Sequence, residues 1–251
     1  MAKYRSIIEI EGTLGDYTYY RMHNRSYVRR KSSLSKKRIK EDPAFARTRE
    51  NNTEFGHCAR MGKILRTSLK EVIGDAKDVK MSSRLTKTLM TVKNADIHTA
   101  RGSRLVSQGL KTEAGRQALT GFNFNANAAL EQILICSYDL DLDTGDLTLP
   151  NFSPKAHLQT PKVFTDVVLQ SFYLNLDFDT GESLLTKSEA ITFSNTQSQA
   201  TSLTLAPPFL PEGSGARLYF LKISFFKSVQ GKSETLNVGV LDSLRLIGVK
   251  G

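Results

Sequence analysis

The sequence predicts an α+β protein: an N-terminal β-meander and a basic helical region, followed by an antiparallel β-sandwich that is jelly-roll-like. Three observations carry that expectation. Apolar and polar residues alternate in short runs over residues 4–31; apolar residues recur at spacings of three and four after Pro43; and from Ile133 onward the period returns to two. The regions this implies are a meander with a basic linker over 1–40, a helical basic region over 41–132 and the sandwich over 133–251. A chain of 251 residues with 39% apolar content can bury a core without help from disulfides.

In the meander, Ile8 and Ile10 and then Tyr17 and Tyr19 supply the alternation, separated by Gly12 and the Gly15-Asp16 pair. His23-Asn24-Arg25 reads as the second turn, and Tyr27-Val28 begins a further short strand. The cationic stretch RRKSSLSKKRIK, residues 29–40, reads as a solvated tether.

Asp42 before Pro43 is a helix start, because the carboxylate can accept from open backbone amides and proline fits the first turn. Phe55, Cys58, Gly62, Leu65, Leu69 and Val72 then make one apolar stripe, with basic residues beside it. Gly74-Asp75 is the stop, and residues 81–96 form a second helix through Leu85, Leu89 and Val92, with Arg84, Lys87 and Lys93 basic. The two helices are expected to pair as an αα-hairpin. Glycines at 102, 109, 115 and 121 restrict the next stretch to short helices near 104–109 and 113–119. GFNFN, residues 121–125, reads as an aromatic anchor pinned into a core.

The strand candidates of the last region are 133–142, 146–150, 162–178, 189–194, 202–206, 217–229 and 234–249, bounded by Gly, Pro, Asn and Asp. LDLDTGDLTL (140–149) echoes LDFDTGESLL (176–185), so two similarly built hairpins are expected. Alternation would turn Asp139, Asp141 and Asp143 to solvent and Leu140 and Leu142 inward. A calcium loop does not fit, since its sixth and twelfth positions hold Thr144 and Pro150. Asp143-Thr144-Gly145 is a turn in which glycine supplies positive φ.

Other chemistries are weighed the same way. Gly231-Lys232-Ser233 has the tail of a phosphate-binding loop, but Phe226 stands where its first glycine belongs. His23, His57, His98 and His157 show no ligand spacing, and no nucleophile, zinc or dinucleotide motif is present. Cys58 and Cys136 read as small buried hydrophobes of a reducing compartment. Glu9 and Glu11 interrupt any secretory signal and no run approaches membrane-spanning length, so the expected location is cytoplasmic, with no membrane partner. A non-enzymatic chain with no metal and no cofactor is the resulting expectation, and no small-molecule substrate is inferred.

Charge is the strongest global signal. Residues 1–120 hold 26 Lys+Arg against 12 Asp+Glu, a net +14; residues 121–251 hold 9 against 13, a net −4. Arg47, Arg49, Arg60, Lys63 and Arg66 are the candidate partner-binding residues. Three uses of that helix are open: an ordinary solvated face, a surface for a protein partner or homo-oligomer, and a nucleic-acid site, where cations would neutralise phosphates. Glu50, Glu54 and Glu71 interleave with the cations and speak for the first two. In order along the chain, GTLGD (12–16), RTRENNTEF (47–55), GFNFN (121–125) and DTG (143–145) resemble a family of uncharacterised Bacteroidota proteins. That resemblance implies lineage and carries no activity or site residues.

Overall fold

A computed structural model of the chain describes residues 2–3, 10–32, 34–159, 164–194, 200–229, 232–235 and 242–251. Ile8 and Glu9, expected in the first strand and against a signal segment, and Gly231 of the rejected phosphate loop lie outside the described residues. Backbone contacts divide the chain into two units, Met1–Glu50 and Asn51–Gly251.

The first unit is a four-stranded antiparallel sheet followed by a short helix. Its strands are β1 (Ala2–Lys3), β2 (Gly12–Leu14), β3 (Tyr17–Met22) and β4 (Arg25–Arg30), in the spatial order β1-β4-β3-β2. His23 and Asn24 both take positive φ, 50° and 58°, which is the two-residue turn that matches strand twist. Gly12, expected as a turn, opens β2 instead. The expected tether is partly helical: Ser35 accepts from the Arg38 amide at 3.1 Å and starts α1 (Lys36–Glu41). Asp42 then caps a single 3₁₀ turn over Pro43–Phe45, accepting from Ala44 N at 2.9 Å.

Helix α2 (Ala46–Ser68) runs from the first unit into the second. The second unit continues with α3 (Lys70–Ile73), α4 (Met81–Asn94), α5 (Val106–Leu110), α6 (Glu113–Leu119), α7 (Leu130–Ile133), β5 (Asp139–Leu140), β6 (Leu147–Phe152) and α8 (Pro154–His157). It closes with β7 (Asp166–Leu176), β8 (Ser183–Lys187), β9 (Ile191–Ser194), β10 (Thr201–Leu205), β11 (Ala216–Val229), β12 (Lys232–Thr235) and β13 (Ser243–Lys250). Residues 133–142, expected as one strand, instead end a helical turn at Ile133, make a single bridge from Leu134 to Leu158 and form a strand over Asp139–Leu140. The expected 234–249 strand resolves into β12 and β13, with residues 236–241 outside the described set.

The strands of this unit form two antiparallel sheets. In the larger, β7 and β11 pair along eleven residues at the centre; β8 and β9 flank β7, and β12 and β13 flank β11. The smaller has the order β10-β6-β5. Alternation along β7 and β11 sends Phe172, Leu174, Leu176, Leu218 and Phe220 to one core, shared with Cys58, Leu65, Leu85, Leu89 and Leu119 of the helices. Val167, Leu169, Tyr173, Tyr219, Leu221, Ile223 and Phe225 face a second core, shared with Leu147, Leu149, Phe152, Leu203 and Leu205 of the smaller sheet. The central strands are thus buried on both faces, which explains their near-continuous apolar sequence.

The αα pair has the packing expected of it. Gly62 lets Leu85 and Leu89 of α4 approach α2, within 3.7 Å and 3.5 Å of where its Cβ would lie. Phe122 and Phe124 are buried and meet edge to face at 5.1 Å. Their segment is extended against β13, with Gly121 N donating to Leu246 O and Phe124 N to Leu244 O, both at 2.8 Å.

Candidate interaction surfaces

The buried stripe of α2 is Glu54, Cys58, Met61, Gly62 and Leu65, rather than one led by Phe55, which is 57% exposed. Glu54, expected among the surface pairs, is buried and ion-paired with Lys93 of α4, itself buried rather than on a basic face. The second Glu54 oxygen accepts from Gly102 N at 2.8 Å, and Arg104 stands 3.7 Å away. Burial alone would push the Glu54 carboxyl up, but Lys93, the Gly102 amide and Arg104 together hold it below its ordinary value. Asp96 works beside it, accepting from the amides of His98, Thr99 and Leu105 at 3.0–3.1 Å. These carboxylates tie the 95–105 loop to the helices. Cys58 lies in the same layer, and burial raises its thiol to about 11, so it stays protonated as an inert core group. Cys136 is only half-buried.

The five candidate cations have different surroundings. Arg47 is exposed and pairs with Glu50 at 3.0 Å. Arg49 turns back, and its Nη1 donates to Ile39 O and Asp42 O at 2.9 and 2.8 Å, clamping α1 to the start of α2. Arg66 Nε donates to the Gly62 carbonyl of its own helix at 3.1 Å. Arg60 and Lys63 are exposed. At about 100° per residue Arg49, Arg60 and Lys63 fall on one side of the helix, while Arg47 lies on the azimuth of buried Leu65. The helix therefore displays a short basic strip rather than a five-residue patch.

Cations are denser in the first unit, where residues 1–50 hold 13 Lys+Arg against 6 Asp+Glu, a net +7. No side chain described in residues 10–50 is buried. Register places Leu14, Tyr17, Tyr19, Arg21, Val28 and Arg30 on one face of the sheet. Leu14 and Tyr17 there are 65% and 50% exposed. The other face carries Tyr20 and Tyr27, stacked at 5.7 Å with 21° between ring planes, and Arg29 at 5.6 Å over the Tyr20 ring. Sequence reasoning assigned this segment a meander and no role; the alternation of tyrosine with arginine was the available signal.

The paired hairpins share one hydrogen-bond pattern. Asp141 and Asp177 each accept from the two amides at i+2 and i+3, at 2.7 and 3.2 Å in the first and 2.8 and 3.2 Å in the second. Gly145 and Gly181 have φ of 83° and 82°. Asp139, Asp141 and Asp143 are all exposed, as expected, and Asp141 also serves the turn, its amide bonds holding it below the usual carboxylate range. Leu142, expected inward, is 36% exposed.

One cleft of about 480 Å³ lies between α3 and the helix-facing side of the large sheet, lined by residues including Glu71, Val168, Phe172, Lys222 and Ser224. Lys222 Nζ donates to Val72 O at 2.9 Å and Ser224 Oγ to Asp242 Oδ2 at 3.1 Å. Burial raises the Asp242 carboxyl, against the Phe225 and Ser224 hydrogen bonds that lower it. These polar groups fasten α3 and the start of β13 to the sheet. No described helix is long and apolar enough to cross a membrane. Comparison with protein-family models, with curated proteins and with solved structures finds no match to this chain.

Proposed function

We propose that the protein is a non-enzymatic assembly subunit that binds copies of itself or another protein, with the sheet of the first unit as its main contact surface. One observation carries this reading: a basic four-stranded sheet that keeps Leu14, Tyr17, Tyr19 and Val28 on one face and buries none of them. A sheet is ordinarily stabilised by covering such a face, at about 1.5–3 kcal/mol for each large apolar side chain fully buried. Aromatic residues bordered by arginine are also the composition favoured at protein interfaces. Arg60 and Lys63 are exposed on α2, whereas Arg49 and Arg66 serve the local structure. The same reading takes the two sheets that share the second core as a jelly-roll-like sandwich, with the protein acting in the cytoplasm.

Light scattering on the full chain tests the proposal. The wild type is expected to exceed the mass of one chain at low salt, and Leu14→Asp/Tyr17→Asp to return it to a single chain without loss of circular-dichroism signal. A wild type that stays single at every concentration, or a variant that assembles unchanged, speaks against it. A second reading, nucleic-acid binding, is favoured by the Tyr20–Tyr27 stack with its arginine, since such platforms accept bases while cations neutralise phosphates. It predicts retention of a single-stranded oligonucleotide at low salt and release between roughly 50 and 200 mM.

A further inference from the structure

The two hairpins are matched in sequence and also meet at one end of the second unit. Leu176, just before the second hairpin, pairs with Ala216; Arg217 next to it pairs with Lys250; and Lys250 is ion-paired with Asp143 of the first hairpin. Tyr219 OH donates to Leu142 O at 2.6 Å, and Ser214 Oγ to Asp177 Oδ2 at 3.0 Å, fixing each hairpin to the start of β11 or the loop leading into it. Residues 139–146 contain four aspartates and no cation, and residues 177–182 two aspartates, a glutamate and no cation. Asp143, Asp179 and Glu182 are exposed; cations near them include Lys250, Arg217, Lys111 and Arg60, the last acting on His57 together with Asp179. Two rigid turns therefore hold carboxylates of one sign at one edge of the fold.

We infer that the sheet face of the first unit that carries exposed Leu14 and Tyr17 docks on this acidic end of a neighbouring copy, an inference that rests on the assembly reading above. The face offers exposed Leu14 and Tyr17 beside exposed Arg30, which pairs across from Tyr17, and the unit is net +7. The receiving end offers carboxylates together with Leu142 and Leu184, 36% and 47% exposed. Charge complementarity of this kind steers encounter and fixes orientation. Because the two surfaces differ, the contact is head to tail, and successive copies form a ring or an open filament.

Sedimentation of the full chain distinguishes this contact from others. Asp179→Lys/Glu182→Lys and, separately, Arg21→Glu/Arg30→Glu are each expected to weaken self-association about tenfold or more, as reversing two rim charges would. An equimolar mixture of the two variants is expected to recover association, because each reversed surface then meets its complement. That recovery would not arise from a merely structural role. If the wild type associates but the hairpin variant is indistinguishable from it, this docking is overturned and the assembly reading stands. If the wild type remains a single chain, both are overturned.

Discussion

At the scale of single residues, the buried Glu54–Lys93 pair decides how the helical layer holds together. Lys93→Met leaves a carboxylate in the core with its main partner removed, and is expected to cost about 3–5 kcal/mol in urea unfolding. Glu54→Gln/Lys93→Met is expected to lose less, because a neutral amide can still accept from Gly102 N. His57 gives a pH dependence of its own. Its Nε2 accepts from Val106 N at 3.1 Å, which requires an unprotonated nitrogen. Burial, then the Arg60 charge, lower its pKa, while Asp179 raises it. The unfolded chain takes up that proton near pH 6.5. The folded chain resists it, so this contribution is complete above that pH and is lost as pH falls through the lower folded value. Arg60→Ala is expected to raise the His57 titration midpoint followed by NMR; a midpoint unchanged or lowered would contradict the arrangement.

At the scale of elements, the paired hairpins invite a direct comparison of their glycines. Both Gly145 and Gly181 occupy the left-handed region, so replacement by alanine should cost each about 1 kcal/mol in backbone strain. A Cβ at Gly145 would also lie 2.7 Å from Leu210 Cδ2 and 3.0 Å from Pro207 Cγ, whereas at Gly181 the nearest atom is 3.9 Å away. Gly145→Ala is therefore expected to lower the unfolding midpoint clearly more than Gly181→Ala; equal losses would contradict this packing. These turns were legible from D-T-G alone, as were α4, the central strands and the aromatic anchor, because a turn residue or a period repeats within a few positions. The buried face of α2 was not. Phe55 has the right spacing and is exposed, while Glu54 is buried because its counter-charge comes from Lys93, 39 residues away. The strand over 133–142 failed similarly, since its apolar residues fit a helical turn and a brief bridge as well as an extended run.

At the scale of the whole molecule, the charge asymmetry was visible in composition, but its location was not. The expectation placed it on α2, where two of five cations are spent on backbone carbonyls and a third on an ion pair. Such local uses depend on backbone positions that residue spacing does not report. Of the thirteen Lys+Arg of residues 1–50, six fall in residues 1–30 and seven in residues 31–50, and the sheet has no buried side chain among those described, with Leu14 and Tyr17 exposed. Raising salt from about 50 to 500 mM should shrink the assembly, since the screening length falls from about 14 Å to about 4 Å over that range. Salt-independent mass would assign the contact to apolar burial alone.

Hydrogen exchange of the full chain, run as a concentration series at low salt, tests the assembly surface most directly. Amides of Gly12–Leu14, Tyr17–Met22 and Arg25–Arg30 should gain protection as concentration rises, while those of the central Asp166–Leu176 strand stay constant. Protection of the first three segments that is identical at every concentration would contradict the account.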